Sequence, residues 1–160
     1  MTQTPKVFGE RTLTLTRHFK APRDLVWQAW TDPEHLKQWW GPEHFTAPVV
    51  RGDVKVGGVM HITMRGPKDT PFDQDFPMTK RYVEIVPGQK LVFENDAIAP
   101  DGEILIKGLT TVTFQDDAGG TLMTIQTSAK AMAEVAVGMI GGMEAGWRGS
   151  IDKLDRFLAG

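Results

Sequence analysis

The sequence predicts an α+β domain: a curved antiparallel sheet of seven strands wrapped around a long C-terminal helix, with two short helices between the first and second strands. Three observations carry this. Apolar side chains recur at helical spacing over the last thirty residues, as Met132, Val135, Met139, Ile140, Met143, Trp147, Ile151, Leu154 and Leu158. Residues 11–19 alternate apolar and polar side chains as a half-buried strand does. Between residues 44 and 128, Gly and Pro punctuate short runs in the manner of an antiparallel meander. The C-terminal helix is the only element long enough to cover one face of such a sheet.

In chain order, the first strand sets Leu13, Leu15 and Arg17 opposite Thr12, Thr14, Thr16 and His18. Ala21-Pro22 ends it. Pro22 fits a first helical turn, with Asp24 complementing the N-terminal dipole, and Leu25, Val26, Ala29 and Trp30 share one face. Asp32 as N-cap and Pro33 at N1 start a second short helix. Its apolar side is Leu36, Trp39 and Trp40, and Gly41-Pro42 stops it. Strands are expected near 44–54, 58–66, 79–86, 89–96, 103–115 and 121–128, with turns at Gly57-Gly58, Pro87-Gly88 and 116–120. Residues 66–78 form a Pro/Asp-rich loop too long for a tight hairpin, a length often used for lids and binding loops.

The 160 residues are expected to form a single domain over 1–160, with 1–9 flexible. A chain of this size buries roughly 70% of its unfolded surface, enough for a proper core. The net charge of −2, with no basic block interleaved with aromatics, speaks against nucleic acid as a partner. With no cysteine there are no disulfides, thiol nucleophiles or common zinc sites, which fits a cytoplasmic protein. The N-terminus carries no apolar run, and no apolar stretch approaches the 18 residues of a membrane span.

The helix is unusual in its glycines: Gly138, Gly141, Gly142, Gly146 and Gly149. Each costs about 1 kcal/mol relative to Ala in a helix interior. Either the sheet packs closely against the helix backbone there, or a bound molecule needs the room. The later half, with Trp147, Ile151, Leu154, Phe157 and Leu158, has ordinary core residues and reads as an anchor. A pocket is therefore expected under the Gly- and Met-rich half.

Nucleophile and metal signatures are missing. His18, His35, His44 and His61 have no metal-helix spacing, Ser128 and Ser150 lie in no nucleophile elbow, and the Gly-rich patches match no phosphate-binding loop. Glu84 lies two residues from Tyr82 in a strand, so both should point to one face. If that face is inner, Glu84 is a carboxylate with a raised pKa beside a cavity. If Val83 and Ile85 face the core, Glu84 faces water. His44 could edge the pocket. The candidate acid–base residues are thus Tyr82, Glu84 and His44. The candidate ligand-binding residues are Trp39, Trp40, Phe45, Met64, Tyr82, Phe93, Thr110, Met123, Met139 and Met143. Methionine fills irregular, adaptable spaces, and apolar pockets orient ligands with a few polar groups, here Tyr82, Thr110 and Thr127.

The run from Pro22 through Trp27, Trp30, Thr31-Asp-Pro-Glu34 and Trp39-Trp-Gly-Pro42 resembles the heat-shock-protein-ninety ATPase activator homologue family. So do Asp53-Val-Lys-Val-Gly-Gly58, Met64-Arg-Gly-Pro67, Tyr82-Val-Glu-Ile85, Leu91-Val-Phe-Glu94 and Gly146-Trp147 leading to Leu154. The matches span about residues 10 to 158. That family belongs to the START-like superfamily, also called SRPBCC or polyketide cyclase-like. The resemblance implies a helix-grip fold with an apolar cavity between sheet and helix. Superfamily members include lipid, steroid and polyketide binders, cyclases and chaperone partners, so fold alone does not choose a function. The first reading is binding of a small hydrophobic or amphipathic molecule without cofactor. The second is a polyketide cyclase or proton-transfer enzyme on the same pocket. The third is a co-chaperone-like interaction module, for which the chain offers no long charged docking segment. The resemblance leaves room for a homodimer, though no feature requires one.

Overall fold

A computed structural model describes residues 6–160. Its strands are β1 (Gly9–Phe19), β2 (Thr46–Gly52), β3 (Val59–Arg65), β4 (Asp75–Val86), β5 (Lys90–Ile98), β6 (Ile104–Asp117) and β7 (Gly120–Ala131). The helices are α1 (Arg23–Thr31), α2 (Pro33–Trp39), α3 (Ala136–Gly141) and α4 (Met143–Leu158). All strand pairs are antiparallel, in the order β1-β7-β6-β5-β4-β3-β2. This is the expected curved seven-stranded sheet with two short helices after the first strand and the longest helix at the C-terminus.

The local chemistry explains the elements. Asp32 caps α2 by accepting from the Glu34 backbone N–H at 2.9 Å, with Pro33 at the first helical position. Pro22 stands one place outside α1, as its N-cap. Along β6, Gly108, Thr110, Val112 and Phe114 are buried on one face, as the alternation predicts. The main core joins that inner face to α1, α2 and α4 around Trp30, Trp39, Leu36, Phe93, Phe114 and Leu154. Trp30 lies at its centre, with ring centroids 4.9 Å from Trp39, 6.0 Å from Trp40, 6.3 Å from Phe114 and 6.4 Å from Trp147. A second, smaller core of Ala129, Ala131, Ala136 and Ile140 seats α3 on β7.

Three expectations are corrected, and a fourth lies partly outside the described residues. The C-terminal stripe is not one helix from residue 132. β7 runs to Ala131, Met132 still donates its N–H to the Leu105 carbonyl at 2.7 Å, and the helix breaks at Gly142 (φ −93°, ψ 2°). Ladder pairing of β7 with both β1 and β6 outcompetes helix propensity there. β4 begins at Asp75, so the long loop ends earlier than 78; Arg65 ties it down, bonding Asp73 at 2.9 Å and Asp75 at 3.0 Å. The flexible start expected over 1–9 lies outside the described residues for 1–5. Gly9 opens β1, and the Phe8 N–H bonds the Ala131 carbonyl at 2.9 Å. Finally, Tyr82 and Glu84 do not share a face. A register shift between them turns Tyr82 inward and leaves Glu84 exposed, 3.2 Å from Lys90.

Candidate functional site

The sheet's inner face is not filled along its whole length. Between the start of α4, α3, the segment 40–45 and the ends of β4–β7 lies an open cavity of about 600 Å³. Its walls are mainly apolar. Trp40 and Phe45 come from the segment after α2, Met64 from β3, Phe76 and Met78 from β4, and Met139, Met143 and Trp147 from the C-terminal helices. Phe45 and Phe72 rings lie 6.1 Å apart across the rim. This is the position expected from the glycines: beneath the Gly- and Met-rich half of the helical segment.

Two features hold the rim. Lys153 of α4 points its ammonium into the 40–45 segment, donating to the carbonyls of Phe45 (2.8 Å), Gly41 (3.2 Å), Pro42 (3.4 Å) and Trp40 (3.5 Å). Partial burial holds its pKa below the ordinary lysine value. Beside it, Arg156 pairs with Glu43. On the opposite side, Arg11 of β1 donates to the Gly141 carbonyl at 2.6 Å and reaches Glu144 at 3.4 Å, tying the end of α3 to the sheet edge.

The cavity floor carries a short polar chain. Thr110 Oγ1 lies 2.8 Å from Asn95 Oδ1, to which it donates, and 2.8 Å from Thr127 Oγ1. Thr110 is fully buried beneath, while Asn95 and Thr127 line the cavity. With Thr110 satisfied from below, Asn95 and Thr127 can orient a ligand hydroxyl or carbonyl.

Of the five glycines of this segment, Gly142 and Gly146 line the cavity, while Gly138 and Gly141 are exposed outside it. A Cβ at Gly142 would meet only the Met139 carbonyl oxygen, at 3.8 Å, and those at Gly138 and Gly141 would meet nothing within 4 Å. One at Gly149 would come within 2.9 Å of the Glu43 backbone nitrogen, so there the helix backbone is closely approached, by the 40–45 segment rather than by the sheet.

The model of the family "Activator of Hsp90 ATPase homolog 1-like protein" matches residues 20–159. The chain belongs to this family. Solved structures similar to it include the solution structure of a protein from Arthrobacter aurescens: 24% identity, 96% of this chain and 92% of that one covered, TM-score 0.80. A Chromobacterium violaceum protein matches at 23% identity, covering 92% and 96%, with a TM-score of 0.77. A family protein from Silicibacter pomeroyi matches at 21% identity, covering 93% and 98%, with a TM-score of 0.74. At these identities the likeness shows the fold. No functionally curated protein matches the chain.

In this activator-homologue-like chain, the cavity gathers some of the residues singled out by sequence and leaves others behind. Trp40, Phe45, Met64, Met139, Met143 and Thr127 line it. Trp39, Phe93, Met123 and Tyr82 are buried in the main core instead, because the helices α1 and α2 fill that end of the concave face. Of the acid–base candidates, Glu84 is on the outer face and His44 is exposed in a left-handed turn (φ 68°). Tyr82 is buried, its hydroxyl without a partner, and burial pushes its pKa up. No cluster of His, Cys, Asp and Glu able to hold a metal occurs among the described residues, and no helix there is long and apolar enough to cross a membrane.

Sequence reasoning missed Asn95, Lys153 and Lys80. Asn95 is two residues beyond the inward Phe93, a signal that was present. Lys153 gave none, since a lysine on an amphipathic helix reads as solvated. Lys80 has the inward parity of Tyr82 and is completely buried, with its Nζ lacking any hydrogen-bond partner.

Proposed function

We propose that this protein binds a small hydrophobic or amphipathic molecule between the sheet and the C-terminal helices, without a cofactor. The observation that carries the reading is the cavity of about 600 Å³ with largely apolar walls, within the size range of small-molecule pockets. The family and fold support it by analogy, since the same architecture elsewhere encloses apolar ligands. Acid–base chemistry is the weaker reading: Tyr82, Glu84 and His44 are not assembled at the cavity. Native mass spectrometry of freshly purified protein tests the proposal, together with titration of the neutral fluorescent probe N-phenyl-1-naphthylamine. A co-purifying small molecule or saturable probe binding is expected. No adduct and no saturable binding would refute it.

A pair of glycine variants locates the ligand. Gly142→Leu should weaken probe binding at least about tenfold with the protein still folded, because Gly142 lines the cavity and has open space beside it; at the break between α3 and α4 the change gains no helix propensity. Gly149→Ala should lower the melting temperature, costing about 1–3 kcal/mol through overpacking against Glu43. Fluorescence titration and thermal melts of the two proteins check both signs; a Gly142→Leu protein that binds the probe normally would move the site elsewhere.

A further inference from the structure

We propose that Lys80 is the anion anchor of this cavity, taking the carboxylate of an amphipathic monocarboxylic acid when the Trp40 indole turns aside. The inference deepens the binding reading above and rests on it.

Lys80 stands immediately behind the cavity wall on three sides. Trp40, which lines the cavity, places its ring centroid 3.4 Å from Lys80 Nζ. Met78, two residues earlier on the same strand face, lines the cavity. So does Asn95, the cross-strand partner of Lys80 on β5. The Trp40 ring is therefore the partition between the cavity and the amine. Its Nε1–H bonds the Met78 Sδ at 3.2 Å, and a thioether is a weak acceptor, so the ring is held mainly by packing.

Three buried polar groups near that partition lack partners, and two of them, the Lys80 ammonium and the Trp30 indole N–H, can only donate. Lys80 Nζ, Tyr82 Oη and Trp30 Nε1 are all buried without a hydrogen-bond partner. They surround one ring, that of Phe93: Lys80 Nζ is 4.6 Å from its centroid, and the Tyr82 and Trp30 rings are 5.9 and 6.5 Å away. Buried polar groups left unpaired are rare and costly, and three around one side chain call for an occupant. The aromatic faces of Trp40, Phe93 and Trp30 favour a cation electrostatically but offer no lone pair to its N–H groups. No carboxylate among the described residues bonds the amine: Glu84 pairs with Lys90, Glu94 with Arg81 and Asp75 with Arg65.

The missing group must bring lone pairs and one negative charge. A carboxylate has two oxygens able to accept several hydrogen bonds, and its bond to an ammonium is charge-assisted. A dianion would carry a second charge into a cavity already lined by the Asp75 and Asp96 carboxylates, while Lys153 at the rim is committed to backbone carbonyls. The apolar cavity takes the tail.

The test compares decanoic acid with 1-decanol, which share a tail and differ in the headgroup, by calorimetric titration of the wild type and of Lys80→Met. The wild type should prefer the acid by about tenfold or more, the effect of a charge-assisted bond in a buried site. In Lys80→Met the acid-to-alcohol ratio should collapse to about one. Equal affinities in the wild type, or an acid preference that survives in Lys80→Met, would overturn the anchor while decanol binding leaves the cavity reading standing. If neither compound binds, both readings fail. Lys80→Gln, one atom shorter, uncharged and still polar, carries the same expectation should the methionine variant not fold.

Discussion

Trp30→Ala should be the most damaging single truncation in this fold, costing about 3–5 kcal/mol. Trp30 is completely buried and packs against five other aromatic side chains from α2, the segment following it, β5, β6 and α4. No neighbour can collapse into the space of an indole, so most of the cavity term is retained. For a domain of this size, that loss lowers the thermal midpoint by on the order of 10 °C. Circular dichroism melts of the variant check it. A midpoint within a degree or two of the wild type would mean the helices α1 and α2 contribute little to the cooperative unit.

Lys80→Met is expected to act in the opposite direction and raise stability by about 1–3 kcal/mol, the cost of a buried polar group without a partner. Burial holds the Lys80 pKa well below its ordinary value of 10.5. The sign of the pH dependence follows. Between the lowered folded value and 10.5, the unfolded chain binds a proton that the folded chain does not, so the wild type gains stability as pH rises through that window. In Lys80→Met this component is missing. The difference in melting temperature between the two proteins should therefore shrink as pH rises above the lowered folded value toward 10.5. A difference independent of pH, or a variant less stable than the wild type at neutral pH, would contradict a buried, uncompensated amine.

The same residue shows how far the sequence could be read. The fold was legible because its signals are periodic: the alternation of β6, the Asp32-Pro33 helix start, and the i, i+3/i+4 stripe through α4. The position of the cavity was only partly legible from the glycines: Gly142 and Gly146 line it, Gly138 and Gly141 do not, and Gly149 packs against Glu43. The faces of β4 were not. One register shift between Tyr82 and Glu84 reverses the strand's outlook, and no residue there announces a bulge. Parity counted backward from Tyr82 assigns Lys80 to the core, but a lysine in a strand is read as solvated, because burial of an unpaired amine is rare. The pocket-lining set divided: Trp40, Phe45, Met64, Met139 and Met143 line the cavity and the others do not. Phe93 and Met123 face inward as expected. Which inward residues meet the cavity and which meet Trp30 depends on where α1 and α2 dock, and alternation carries no information about that.

The strand order has a consequence for how the molecule comes into being. β1 pairs with β7, joining Gly9 to Ala131 and Phe19 to Thr121. The first strand to leave the ribosome thus has to wait for the last strand before it acquires a partner. The helices that follow β1 wait as well, since Trp30 rests partly on Trp147. Growth of the meander from β2 through β6 can proceed by short-range pairing, but joining the two ends of the sheet comes late and over a long span of chain. Topologies dominated by such distant contacts fold in milliseconds to seconds rather than microseconds. Until α4 arrives, the tryptophans of α1 and α2 are the apolar surface this chain exposes to aggregation during synthesis.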